Sequence, residues 1–342
     1  METKLVTLGA MIAKVDSEPP MNFIWQGIKE QTLNFIVAPP KVGKTTLCEN
    51  MGLSVAAGKS EFLGWPLWFG DNRKCLMISC EEFYKNRTSR NQRQVQALQS
   101  ELGSGEWQAN FMVSSDEAPR YISNKTDWKW LEDEILLYSP RLTILDSLSR
   151  LHPGQSIEDS TVCIDLTKRL NTIVDKTGTT FIVIHHTHKT NGLPLTLTNM
   201  AGSRILGQEA GAIIGLNKTP RGKRYMKPLA YRYADDHVEK VMLFKINPDG
   251  WITPQGFQDE GILLRDFDNR TDDSNYVVFT NFVQSFESSE DPIEIKTGNF
   301  MANLVGKGKM SNVTLYKQID RAIEEGLLED CGKGKYRVAN LK

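Results

Sequence analysis

The chain has 342 residues, with 41 lysines and arginines against 42 aspartates and glutamates, so any contact with a polyanion must rest on local patches and not on bulk charge. A hydrophobic content of 40% excludes a disordered chain, and no apolar run approaches the roughly 20 residues that a membrane-spanning helix needs. Five cysteines (Cys48, Cys75, Cys80, Cys163 and Cys331) stand without CxxC spacing, which excludes a zinc ribbon or disulfide framework and predicts buried thiols in a reducing compartment.

In chain order the first strong element is LNFIVA at 33–38, a continuous apolar run of the kind that forms a strand covered on both faces. It runs directly into Ala38-Pro39-Pro40-Lys41-Val42-Gly43-Lys44-Thr45-Thr46, which meets the phosphate-loop pattern G-x-x-x-x-G-K-[ST] at every fixed position except the first. Between a strand and the helix TTLCENMGLSVAAG, backbone N–H groups and the helix N-terminus can surround a phosphate. In that setting Lys44 neutralises β- and γ-phosphate charge and Thr45 ligates Mg2+, and the small side chain of Ala38 still permits the turn.

CLMISC at 75–80 is the next strand, and it ends on Glu81-Glu82. A carboxylate there can reach a γ-phosphate and orient or deprotonate water; Glu81 is the candidate and Glu82 its support. A helix over NQRQVQALQSEL, a strand over NFMVS and a helix over DWKWLEDEILLYS follow. LTILD at 142–146 then ends on Asp146, the acidic strand terminus that holds a phosphate-bound magnesium. After the helix TVCIDLTKRLNTIVDKTG, the strand TFIVIHH at 180–186 ends on two histidines. Adjacent strand residues face opposite ways, so only one can look along the sheet edge toward nucleotide, where it would act as a polar sensor of the γ-phosphate. GAIIGL at 211–216 and a hairpin over LAYRYADDHVEKVMLFKI complete an α/β core read as a doubly wound, mostly parallel sheet over residues 1–258.

The acidic run DFDNRTDDSN reads as part of a linker over 259–274, with a second domain over 275–342. There Tyr276, Phe279, Phe282, Val283 and Phe286 make one helical stripe, TGNFMANLVGKG a shorter helix, and Val313, Tyr316, Ile319 and Ile323 a third stripe ended by Gly326. LLEDCGKGKYRV reads as a hairpin wing, so the unit is expected to be a winged helix. Lysines and arginines around Lys307, Lys309, Lys317, Arg321, Lys333 and Lys335 suit duplex DNA, with protein docking as the alternative.

The ordered set PKVGKTT, SCEEF, LTILDSLSRLHPG, IVIHHTHK and NMAGSRIL resembles the RecA-like ATPases of the RepA type, the hexameric replicative helicases of plasmids, phages and mobile elements. DnaB-like and KaiC-like proteins are more distant relatives. The resemblance covers roughly residues 20–250. It implies ATP and Mg2+ as cofactors, Lys44 and Thr45 on phosphate and metal, Glu81 activating water, Asp146 as metal acid and His186 in the sensor position. It also implies a cytoplasmic homo-oligomer, a hexameric ring with single-stranded DNA on the loops after Asp146 and His186, among whose residues Arg150, Lys189 and Arg204 are basic. A cation from the neighbouring subunit completes such sites; Arg232 is the candidate and Arg224 its substitute. Two rivals to this DNA motor are an ATP-switched regulator or helicase loader that does not translocate, and a repressor whose core only binds nucleotide.

Overall fold

The computed structural model describes residues 5–188, 194–202, 204–219, 222–235, 240–285 and 294–338, excepting the side chains of 265–274 and 284. Chain contacts divide it into a first unit ending at Glu260 and a second beginning at Gly261.

Nine strands form the central sheet of the first unit: β1 (Leu33–Ala38), β2 (Cys75–Ser79), β3 (Phe111–Val113), β4 (Leu142–Asp146), β5 (Thr180–His186), β6 (Ala212–Lys218), β7 (Arg224–Tyr231), β8 (Val241–Ile246) and β9 (Ile252–Gln258). Their spatial order is β9-β8-β7-β6-β1-β5-β4-β2-β3. β1 to β6 run parallel, and β7 to β9 add an antiparallel meander. The expected strands over 33–38, 142–146 and 180–186 appear with those boundaries. β9 is a ninth strand, not among those expected from sequence; its polar, largely exposed residues give no apolar signal. In the hairpin, β7 and β8 pair antiparallel, while 236–239 of its turn lie outside the described residues.

Side-chain alternation on the buried strands produces two cores. Ile36, Ile144, Ile182 and Ile184 pack on Leu47, Met51 and Val55 of the helix α2 (Lys44–Ala56). Phe35, Val37, Leu145, Phe181 and Val183 face the other way, onto α4 (Lys125–Tyr138) and α5 (Ser160–Thr177). The remaining helices of this unit are α1 (Leu8–Ser17), α3 (Tyr84–Leu102) and the short α6 (Arg204–Glu209). α1 has no buried residue: Leu8, Ile12 and Val15 are all exposed. Four cysteines are buried, and Cys331 is not, contrary to the expectation for it.

The run expected to be part of a linker is helical, lying within α7 (Glu260–Gln284). The second unit follows the order of α7 from Gly261, strand β10 (Glu294–Lys296), α8 (Thr297–Phe300) with a π turn over Met301–Val305, α9 (Asn312–Glu324), and strands β11 (Leu328–Asp330) and β12 (Lys335–Val338). The three strands pair antiparallel in the order β10-β12-β11. Tyr276, Phe279 and Val283 enter its core as expected, whereas Phe286 lies outside the described residues. The α9 stripe is displaced from the expected one. Leu315, Gln318, Ile319 and Ala322 are buried, while Val313 is 81% and Tyr316 48% exposed.

Candidate functional site

Register places the ends of the central strands in one row. Ala38 pairs with His186, Ile184 with Asp146, and Asp146 with Ser79, so the loops after β1, β5, β4 and β2 open at the same sheet edge. Ligands in parallel α/β sheets bind at that carboxyl edge. A cleft of about 580 Å³ lies there, lined among others by Gly43, Lys44, Thr45, Glu81, Asp146 and His186.

Gly43 precedes α2 with φ of 119°, a left-handed conformation that favours glycine, and it turns the loop so that Lys44 opens the helix. The Lys44 ammonium donates to the carbonyl oxygens of Ala38 (2.8 Å) and Pro39 (3.1 Å) and lies 3.4 Å from His186 Nδ1. Burial lowers its pKa, the mark of a cation that gains from an anionic ligand. Thr45 donates its hydroxyl to Asp146 Oδ2 at 2.8 Å. Burial pushes the Asp146 carboxyl up to about 6 against that hydrogen bond, so this hydroxyl–carboxylate pair fits a hard divalent cation with oxygen ligands.

The two glutamates after β2 separate cleanly. Glu81 accepts hydrogen bonds on Oε1 from the hydroxyls of Ser147 and Ser149, the latter at 2.6 Å, and His186 Nε2 lies 3.7 Å from the same oxygen. The imidazole and the two hydroxyls together hold the Glu81 carboxyl down at about 2. Glu82 instead takes both outer nitrogens of Arg90 on α3, whose guanidinium also grips the buried Glu49 at 2.6 Å. A carboxylate neutralised in that way is unsuited to act on water. Arg90, Ser147 and Ser149 are not among the expected site residues.

His185 and His186 face opposite ways, as alternation requires: His186 reaches the cleft, while His185 is buried against the segment after β5. There His185 Nε2 donates to Ala201 O at 2.6 Å, and its Nδ1 has no partner among the described residues. Burial lowers its pKa to about 4. Since the unfolded chain takes a proton near pH 6.5 and the folded one only near 4, acidification through that window should cost on the order of 3 kcal/mol of stability. Urea midpoints at pH 7 and pH 4.5 test this; His185→Gln should show a shallower fall, and an unchanged slope would refute the assignment.

Arg232 does not join the cleft. β7 runs antiparallel to β6, pairing Arg224 with Lys218 at the phosphate-loop edge and Tyr231 with Ala212 at the far edge, so eight residues of strand, about 25 Å, separate Arg232 from Arg224. Arg224 is the nearer cation and donates Nε to Val42 O at 3.0 Å, bracing the loop of its own chain. Arg150 is half-buried, with its guanidinium 4.7 Å from the Tyr121 ring centre; Arg204 is exposed, and Lys189 lies outside the described residues.

No curated protein matches the chain. Among solved structures, the ATPase domain of G40P superposes with a TM-score of 0.52 at 13% identity, over 73% of this chain and 97% of that one. A KaiC-like protein from the hyperthermophilic archaeon Pyrococcus horikoshii OT3 gives a TM-score of 0.44 at 16% identity over 69% and 100%. The RadB recombinase gives 0.43 at 18% over 66% and 90%. The G40P likeness is one of fold, a RecA-like α/β core. The family model of the AAA domain AAA_25 matches residues 5–192, more than half of the chain, which therefore belongs to that family of P-loop ATPases.

Proposed function

We propose that the chain is an ATP-hydrolysing, ring-forming DNA motor of the RepA helicase type. The observation that carries this reading is the convergence of Lys44, Thr45, Glu81, Asp146 and His186 on one cleft at the carboxyl edge of a RecA-like sheet. The loop Ala38–Thr46 binds the ATP phosphates, Lys44 exchanging its carbonyl contacts for phosphate oxygens. Thr45 and Asp146 would hold Mg2+, which when bound offsets phosphate charge. Glu81 orients and deprotonates the attacking water, and His186, between Lys44 and Glu81, senses the γ-phosphate.

Assembly is supported by α1, whose Leu8, Ile12 and Val15 side chains are exposed and would be buried by a neighbouring subunit. Arg232, exposed at the far sheet edge, is the proposed cation for the neighbour's cleft. Single-stranded DNA is assigned to the turn carrying Arg150 and the segment carrying Lys189 and Arg204. The second unit has the element order of a winged helix, and Val313, Tyr316, Lys309 and Lys317 on or beside α9 form an exposed face suited to duplex DNA.

ATP hydrolysis measured with no DNA, with single strands and with duplex tests the reading, together with electron micrographs in a non-hydrolysable nucleotide. The expected results are stimulation chiefly by single strands, and rings. Hydrolysis indifferent to DNA, without rings, would favour the ATP-switched regulator.

A further inference from the structure

Both hydroxyl donors on the Glu81 carboxylate meet Oε1, and both come from the turn that follows β4. Ser147 and Ser149 are also 2.8 Å apart, so the two hydroxyls and the carboxylate form a closed triangle. Leu148–Arg150 is one turn of tight helix, and Arg150 occupies its last position, over the Tyr121 ring. The turn is tied down at two further points: Asp146 O accepts from Cys80 N at 2.7 Å, and Arg150 O from Ile122 N at 3.0 Å. One short segment thus links the carboxylate beside the phosphate loop to a cation assigned above to DNA.

Hydroxyl donors on a carboxylate oxygen draw off negative charge and fix its direction, which makes it a poorer acceptor for a proton from water. We propose that Ser147 and Ser149 are a hydroxyl latch on Glu81, restraining hydrolysis until a nucleic-acid phosphate takes Arg150 and shifts the turn. The latch rests on the motor reading and adds a route by which DNA controls the rate. It acts through Glu81, so the serines are positioning residues and not catalytic ones.

The test uses the full chain, saturating ATP, and an oligothymidylate present or absent. Ser149→Ala should raise the DNA-free rate about fivefold or more, the lower end of usual coupling between sites, and shrink the stimulation ratio to match. The KM for ATP should be unchanged, because Glu81 is not among the groups that bind the phosphates. Ser149→Thr keeps a hydroxyl and should keep the wild-type ratio. Arg150→Ala should lose stimulation at a low rate, whereas Ser149→Ala with Arg150→Ala should retain the raised one. Ser149 is only half-buried, and a melting curve for each variant checks its fold. A DNA-free rate that falls in Ser149→Ala, or one that stays at the wild-type value, would overturn the latch. A wild-type protein with no ATP hydrolysis at all would reject the motor reading, and the latch with it.

Discussion

Lys44→Ala should abolish ATP turnover and the thermal stabilisation that nucleotide confers, while the protein stays folded. The Lys44 ammonium is almost wholly buried and rests on two carbonyl oxygens, and its desolvation outweighs the favourable charges of Asp146 and Glu81 nearby. Polyphosphate supplies the missing negative charge, so the cation's contribution appears on binding. Removing it takes away the cation at the start of α2 and weakens the offset of phosphate charge that backbone N–H groups and the helix N-terminus supply there. At a nucleotide concentration about 100 times the Kd, binding stabilises a folded protein by about 2.7 kcal/mol, equivalent to several degrees in Tm for a unit of this size. The wild type should show that shift with a non-hydrolysable nucleotide, and Lys44→Ala should not. Its unliganded Tm should be equal or slightly higher, since a buried cation is gone. Wild-type hydrolysis in this variant would refute the phosphate-loop assignment.

What could be read in advance, and what could not, divides along the physical origin of each feature. β1, β4 and β5 are continuous apolar runs because both sheet faces are covered, and such runs stand out against their polar flanks. Lys44, Thr45, Asp146 and His186 lie at or just past the ends of those runs, and Glu81 just past β2, so locating the strands also located the cleft. Features set by pairing were hidden. The position of Arg232 depends on β7 running antiparallel, which reverses the end of the strand that meets the phosphate loop. Ser147 and Ser149 reach Glu81 across 66 and 68 residues of sequence, and Arg90 reaches Glu49 across 41, without any local pattern. In α9 the larger apolar residues drew the expected stripe through Val313 and Tyr316. The helix instead buries Leu315, Ile319 and Ala322 in the cluster with Phe279, Phe300 and Leu304, and Gln318 lies on the same helical face.

Glu81→Gln should retain ATP while turning it over on the order of 100-fold more slowly or worse, the loss expected when a positioned general base can no longer take a proton. Glutamine keeps an oxygen to accept the Ser147 and Ser149 hydroxyls, so the turn after β4 stays in place and the change is confined to chemistry. The neighbouring substitution is the control: Glu82 is bound by Arg90, which Glu49 also holds, and Glu82→Gln should hydrolyse at close to the wild-type rate. A normal rate in Glu81→Gln with a collapsed rate in Glu82→Gln would reverse the two roles. The slow variant then serves a further purpose, because Arg232 lies at the sheet edge away from its own cleft. If Arg232 completes the site of a neighbouring subunit, Arg232→Ala should bind ATP without turning it over. Mixtures of Arg232→Ala with Glu81→Gln should recover part of the activity, since some interfaces then pair an intact Glu81 with an intact Arg232. Recovery must peak at intermediate mixing ratios and vanish at either extreme. No recovery at any ratio would remove Arg232 from the site and leave Arg224, already braced on the phosphate loop of its own chain, as the substitute.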